Sequence, residues 1–290
     1  MLPANPTRRA IGAILASVAA CLLLIAAPSA WGWRPNTIAA RQFASSRPGS
    51  ASFTITTPAG KTLAYHGGKR RFTASLIKPL LLVAYLRQPE VRDRPLTGYE
   101  RKRLLGPMIR RSSNQAATEV NEALGSKRIE TVIAEARLRD FSYDRAHWGL
   151  SRTSSDDQAR FFREFAELTP TRHRSYALNL LAAIKPTQRW GIAEVVPQGW
   201  RIYFKGGWGV HDSDGALIDH QAALLVSNQN GCTVSLAVMS DGNRLRRTGK
   251  QTERGIAKRL FAGLQRLGRR PGACRDTTAG GSAVGPALRP

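Results

Sequence analysis

The chain has 290 residues, of which 42% are hydrophobic, a composition that excludes an intrinsically disordered protein and allows a domain with a sizeable core. Lys and Arg number 44 against 20 acidic residues, so the formal net charge is +24. A charge of this size concerns partners rather than fold, and it leaves nucleic acid, an anionic membrane, an anionic cell-wall polymer or a merely solvated surface as interpretations.

The N-terminus has the pattern of an export signal, and we assign residues 1–30 to a signal peptide or a membrane anchor. Arg8 and Arg9 precede an apolar stretch, Ala10–Ala27, that ends in small residues. The stretch is also long enough to remain as an anchor, and Cys21 within it could carry a lipid. Each interpretation predicts a secreted or envelope-associated protein, with an anionic cell envelope rather than nucleic acid as partner of the basic surface.

Residues 31–48 precede the predicted elements; they contain Pro and Ser with little periodicity and are interpreted as a linker or a loosely docked arm. Strands and helices are predicted, in chain order, as strands 52–57 and 61–65, helices 75–86, 114–124, 126–136, 156–168 and 172–184, strands 200–204, 220–228 and 232–240, and helix 252–267. Strands from both ends of the chain would form one antiparallel sheet beside a helical middle, which is an α+β fold. Residues 49–268 are therefore one predicted domain, and the Gly-, Pro- and Arg-rich residues 269–290 a disordered tail.

Two positions interrupt the helical pattern. Pro79 conflicts with a continuous helix over 75–86 unless the helix bends or its first turn is shared with a loop. Gly125 separates the two helices around it as a stop signal.

The cysteines predict a disulfide. Removal of the signal would leave Cys232 and Cys274 in an oxidising compartment, where pairing is favoured. Two unpaired, partly buried thiols are the alternative.

A serine and a lysine at helical spacing form the first candidate site. Ser75 and Lys78, in FTASLIKPLLL, are three residues apart and so share one face of a helix. A lysine beside a hydroxyl in an apolar pocket loses its charge by desolvation and can then accept the serine proton. The spacing alone is common on ordinary protein surfaces.

Two further motifs make the pattern specific. Ser112-Ser113-Asn114 precedes a helix that begins with small residues, and Lys205-Gly206-Gly207 ends a predicted strand. Separately, the first could be a helix cap and the second a turn. Together and in this order, the three motifs form an S-x-x-K, S-x-N, K-x-G series.

With these motifs the chain resembles the superfamily of class A β-lactamases and penicillin-binding proteins, from about residue 52 to residue 267. The likeness includes Gln115-Ala116-Ala117 and the run RTSSDDQARFF at 152–162. It implies a β-lactamase-like α+β fold, with an antiparallel sheet flanked by N- and C-terminal helices and a helical subdomain. It also implies an acyl-enzyme formed with a β-lactam or a peptidoglycan-like peptide.

The resemblance implies a role for each catalytic residue. Ser75 would be the nucleophile, Lys78 its base, and Ser112 the group that passes a proton to the leaving nitrogen. Lys205 would attract a substrate carboxylate and help keep Lys78 neutral by like-charge repulsion.

The substrate-binding groups are implied in the same way. Asn114 would hold a side-chain amide of the substrate, and Gly206 and Gly207 would let the substrate approach the strand. The backbone N–H groups of Ser75 and Trp208 would form the oxyanion hole.

Two departures from the family pattern concern turnover. Gly206 stands where the family has a threonine, so a hydroxyl that helps to bind a carboxylate is absent. The Glu-x-x-Leu-Asn segment, which supplies the deacylating glutamate in class A β-lactamases, is missing from LRDFSYDRAHWGLSR, where Asp140 and Asp144 are the only acids. We expect acylation with weak or absent deacylation, and the alternative is a non-catalytic envelope-binding or β-lactam-sensing module.

Other candidate sites have less support. His211-Asp212-Ser213-Asp214 is read as a polar loop rather than a metal site, and the five histidines do not cluster. No G-x-S-x-G elbow is present, which disfavours a Ser-His-Asp hydrolase. Trp190, Trp200 and Trp208 line the cleft or pack in the core. We expect a monomer without metal or cofactor.

Overall fold

A computed structural model describes residues 33–210, 215–271 and 273–274. The chain divides into two units, residues 1–34 and 35–290, and the fold described below is that of the second. The predicted signal or anchor, the polar loop 211–214 and most of the predicted tail lie outside the described residues. Within those described ranges, no helix has the length and apolar character needed to cross a membrane.

The centre of the fold is an antiparallel sheet. The strands are β1 (Ser50–Thr56), β2 (Thr62–Tyr65), β3 (Arg71–Phe72), β4 (Arg152–Thr153), β5 (Trp200–Val210), β6 (Leu217–Ser227) and β7 (Thr233–Asn243). Five of them form one sheet in the order β2-β1-β7-β6-β5, while β3 pairs with β4. The pairing of β1 with β7 joins strands from both ends of the domain, as the sequence predicted.

Helices cover the sheet and form the middle of the chain. They are α1 (Thr37–Ser45), α2 (Lys78–Leu86), α3 (Pro89–Arg92), α4 (Gly106–Arg110), α5 (Asn114–Glu135), α6 (Ser155–Leu168), α7 (Thr171–Ala182), α8 (Arg246–Leu260) and α9 (Leu264–Gly268). Both α6 and α8 pack against β6 and β7, and α1 packs on α8. Because consecutive residues of β6 and β7 are buried, the sheet is covered on both faces. The predicted α+β class is confirmed.

The segment at 31–48 is more than a linker, and that prediction was wrong for α1. Asn36 caps this helix by accepting a hydrogen bond from the Ala39 N–H through its side chain, at 3.0 Å. Ala40 and Ala44, one helical turn apart, are buried. A pair of alanines is a weak periodic signal, so the sequence pattern did not reveal the helix.

The two interruptions in the helical pattern have different outcomes. Pro79 lies in the first turn of α2, after a 3₁₀ turn at Ala74–Ile77, where a missing N–H costs no helical hydrogen bond. Gly125 has a φ of 65° and divides α5 into two helices, as predicted. The final helix starts earlier than predicted, at Arg246, and Gly263 with a φ of 80° separates α8 from α9.

The predicted disulfide is present between Cys232 and Cys274, whose Cα atoms are 5.5 Å apart. Cys232 lies just before β7 and is buried. Residue 274, which we had assigned to a disordered tail, is therefore bonded covalently to the sheet.

Candidate active site

Ser75 lies in the 3₁₀ turn that precedes α2. Ala74, immediately before it, has a φ of 43°, in the left-handed region that non-glycine residues rarely adopt. Thr73 holds the approach to this turn, because its backbone N–H donates to Ser151 O at 2.7 Å. The Ser75 side chain is half-buried, and no described residue hydrogen-bonds to its Oγ. Its hydroxyl is therefore available to a ligand.

Lys78, the first residue of α2, is fully buried. Its Nζ donates to Ser112 O at 2.6 Å, to Asn114 Oδ1 at 2.8 Å and to Ser112 Oγ at 3.3 Å. Burial lowers the pKa of Lys78 to about 7. A substantial fraction of this amine is thus neutral at neutral pH, which is the state in which it can act as a base.

Ser112 lies between two lysines. Its Oγ accepts a hydrogen bond from Lys205 Nζ at 3.0 Å and is also within reach of Lys78 Nζ. Ser112 has a φ of 58°, so the backbone is strained at this second motif too. The hydroxyl can therefore pass a proton between the Lys78 side of the cleft and the Lys205 side.

Lys205, on β5, is fully buried, and its Nζ also donates to Gly206 O at 2.6 Å. Burial first, and repulsion from Lys78 second, lower the pKa of Lys205 well below its ordinary value. At Lys78 itself the cause of the lowered pKa is burial. Because the two amines contact one oxygen, charging one disfavours charging the other.

Gly207 is the point where β5 meets the Ser75 turn. A Cβ at this position would lie 2.8 Å from Thr73 O and 3.0 Å from Ser75 N, so a side chain would push the two segments apart. β5 is an edge strand, and within the part of the chain that the structure describes no strand pairs with its outer edge. Trp208 follows directly, so the two backbone N–H groups expected in the oxyanion hole belong to segments in contact.

Gly206 is the position at which the threonine hydroxyl of the family is absent, and two indole rings lie beside it. A Cβ there would lie 3.4 Å from Trp190 Cζ2 and 3.7 Å from Trp208 Cζ3. The two indole rings meet edge to face, with centroids 6.0 Å apart. A Cβ alone would make ordinary van der Waals contact, and a threonine would bring two further side-chain atoms beside these rings. Trp200, by contrast, packs against Gly268 at the other end of β5.

The loop before β4 places an indole, not a carboxylate, beside Lys78. The ring centroid of Trp148 lies 5.1 Å from Lys78 Nζ. Asp144 Oδ1 instead accepts a hydrogen bond from the His147 N–H, and Asp140 receives none from the site residues among those described. Sequence reasoning missed Trp148, although its signal, HWGL in the segment without the glutamate, was visible.

Comparison with known proteins agrees with this geometry. Residues 90–264 match the model of the family described as the β-lactamase enzyme family. That range contains the motifs that begin at Ser112 and Lys205, while Ser75 and Lys78 precede it. No match was found among curated proteins.

Solved structures share the fold. A β-lactamase from Sphaerobacter thermophilus is 19% identical, with a TM-score of 0.65 over 79% of this chain and 97% of that one. A β-lactamase from Xanthomonas campestris is 14% identical, with a TM-score of 0.68 over 79% and 97%. The class A β-lactamase from Mycobacterium abscessus is 16% identical, with a TM-score of 0.66 over 79% and 99%. The chain belongs to the β-lactamase enzyme family and has the α+β fold of its serine hydrolases.

Proposed function

We propose that the protein forms an acyl-enzyme on Ser75 with a β-lactam or with the amide of a peptidoglycan-like peptide. The observation that supports this most directly is the Ser112 hydroxyl, which contacts the buried amines of both Lys78 and Lys205. Three motifs that are far apart in the sequence meet there, next to the turn that carries Ser75. Titratable groups with perturbed pKa values cluster at functional sites, and here two amines of lowered pKa flank one hydroxyl.

In the proposed reaction, neutral Lys78 removes the proton of Ser75, and Oγ attacks the substrate carbonyl carbon. The carbonyl oxygen takes up negative charge and accepts hydrogen bonds from the N–H groups of Ser75 and Trp208. The C–N bond then breaks, and Ser112 passes a proton to the leaving nitrogen. Loss of one oxyanion donor typically lowers such rates by about 10² to 10³.

The binding groups indicate the orientation of the substrate. The Oδ1 of Asn114 accepts a hydrogen bond from Lys78, so the side-chain NH₂ is left to donate to a substrate carbonyl. Burial lowers the pKa of Lys205, and a substrate carboxylate beside this amine would favour its protonated form and bind to it, without the help of a hydroxyl at Gly206. A peptide amide of D,D-peptidase type and a β-lactam both meet these requirements.

Deacylation is the slow step of the proposed reaction. The loop has no carboxylate at Lys78 to activate a water, so hydrolysis of the ester is expected to be slow. The alternative function, a β-lactam-sensing or envelope-binding module, follows from the same observation. We also propose that the protein is exported. An anionic cell envelope would then be the partner of this basic chain, whose formal net charge is +24.

Labelled penicillin distinguishes a covalent acyl-enzyme from non-covalent binding, and fast turnover from slow turnover. We expect a covalent adduct of one label per chain in the wild type and none in Ser75→Ala. Ser45→Ala, at the exposed end of α1, is the matched control and should label like the wild type. Absence of any adduct, or equal labelling of the wild type and Ser75→Ala, would contradict the acyl-enzyme; release within seconds would show efficient turnover instead.

A further inference from the structure

Trp148 covers the amine of Lys78 on the side that faces the loop before β4. The indole centroid lies 5.1 Å from Nζ, within the range of a cation–π contact. The hydrogen-bond partners of that amine come from Ser112 and Asn114, at the start of α5. The acylation steps proposed above make no use of this ring.

The ring is fixed from two directions. Its Nε1–H donates to Thr118 Oγ1 on α5 at 3.1 Å. The backbone around it is tied to the segment before the nucleophile, because Thr73 Oγ1 lies 3.4 Å from both Trp148 O and Gly149 O, and the Thr73 N–H donates to Ser151 O. The loop that carries Trp148 is therefore connected to α5 through the indole ring and to the segment before Ser75 through its backbone.

Hydrolysis of the acyl-enzyme has two local requirements. The oxygen of a water must bond to the acyl carbonyl carbon while the ester bond to Ser75 Oγ breaks, and the proton of that water must return to Oγ. The water needs space beside the ester and a base to accept its proton. An indole offers only an N–H donor, which Trp148 already uses on Thr118.

We propose that Trp148 is a positioning residue that excludes the hydrolytic water from the Ser75 acyl-enzyme and keeps the Lys78 amine out of solvent. This inference rests on the acyl-enzyme proposed above. The slow release expected from the absent glutamate would then have a second cause, the ring beside Lys78.

Three variants of the full chain test it with labelled penicillin. Trp148→Ala opens the space, and we expect the adduct to form completely and to be released at least about tenfold faster than in the wild type. Trp148→Phe keeps an aromatic face, and its adduct should last within about threefold as long as that of the wild type. Thr118→Val leaves the indole without its anchor and should give an intermediate release rate.

The pH dependence of acylation is a second readout, which a merely structural role would not move. Solvent that enters beside Lys78 in Trp148→Ala should raise the midpoint pH of acylation, whereas Trp148→Phe should leave it near the wild-type value. The same shift should be seen in the pH profile of Lys78 acetylation by acetic anhydride, mapped by peptide mass. Thermal unfolding of each variant verifies that it is folded.

The outcomes separate this inference from the function on which it rests. A folded Trp148→Ala that keeps its adduct as long as the wild type, with both midpoints unchanged, overturns the role of Trp148 and leaves the acyl-enzyme standing. A wild type that forms no adduct overturns the proposed function and water exclusion with it. In that case an unchanged acetylation midpoint in Trp148→Ala also overturns the shielding of Lys78.

Discussion

The burial of Lys78 makes the stability of the protein depend on pH, and one substitution isolates the effect. Burial lowers the pKa of this amine from 10.5 to about 7. The folded state therefore loses the proton at about pH 7, whereas the unfolded chain keeps it until about pH 10.5. Between these values the unfolded chain binds more protons, so the free energy of unfolding rises with pH.

The size of the effect follows from the two pKa values. One pKa unit is worth about 1.4 kcal/mol, so at pH 7 the ionisable amine of Lys78 disfavours the folded state by about 4 kcal/mol. At pH 9 the same cost is about 2 kcal/mol, because the unfolded chain then holds its proton less strongly. Lys78 alone should thus add about 2 kcal/mol of stability between pH 7 and pH 9.

Urea unfolding of the wild type and Lys78→Met at both pH values measures this contribution. Methionine is close to lysine in length and carries no charge, so any hydrogen bonds lost by Ser112 and Asn114 enter equally at both pH values. The difference in stability between variant and wild type should therefore change by about 2 kcal/mol. Lys127→Met, at an exposed position on α5, should show no such change. A difference for Lys78→Met that is the same at pH 7 and pH 9 would refute the reasoning.

Three further predictions concern the site and its support. Acylation by labelled penicillin requires a neutral Lys78, so its rate should rise with pH through a midpoint of about 7, and a rate independent of pH between 5 and 9 would contradict this. Gly207→Ala should reduce acylation by about 10² or more because its Cβ would displace the Ser75 amide, and an unchanged rate would refute that geometry. Gly206→Thr, which restores the family hydroxyl, should lower the free energy of unfolding by about 1 to 3 kcal/mol because its two γ atoms crowd the adjacent indoles, while Gly206→Ala should be tolerated; equal urea midpoints for both variants would contradict the packing.

The residues of the candidate site could be proposed from the sequence because they lie in short motifs in a fixed order. Ser75 with Lys78, Ser112 with Asn114, and Lys205 were identified by the conjunction of three motifs and the family resemblance that it carries, and the structure brings Lys78, Ser112, Asn114 and Lys205 into direct contact. That one antiparallel sheet joins strands from both ends of the domain was predictable as well, since β-rich runs were recognised near those two ends.

The features that the sequence did not reveal depend on contacts between distant segments. The position of Trp148 over Lys78 is set by Thr73 and Thr118, neither of which has a sequence pattern that points to the loop. The replacement of threonine by Gly206 was visible, but the ring of Trp190 that packs beside it lies in another segment. Short elements such as α1, whose burial rests on two alanines, leave too little periodicity to recognise.

The pairing of β1 with β7 has a consequence for the order of events during synthesis. Ser50 lies opposite Asp241 and Thr56 opposite Ser235, so the central strand pair joins the beginning of the domain to nearly its end. Closing a loop of this length costs about 2 kcal/mol more than closing one of some 20 residues, and it makes folding slow. A growing chain presents the unpaired edge of β1 until β7 has been made, because no earlier strand of the main sheet other than β2 pairs with it. The domain therefore completes its sheet only after nearly all of its residues have been synthesised.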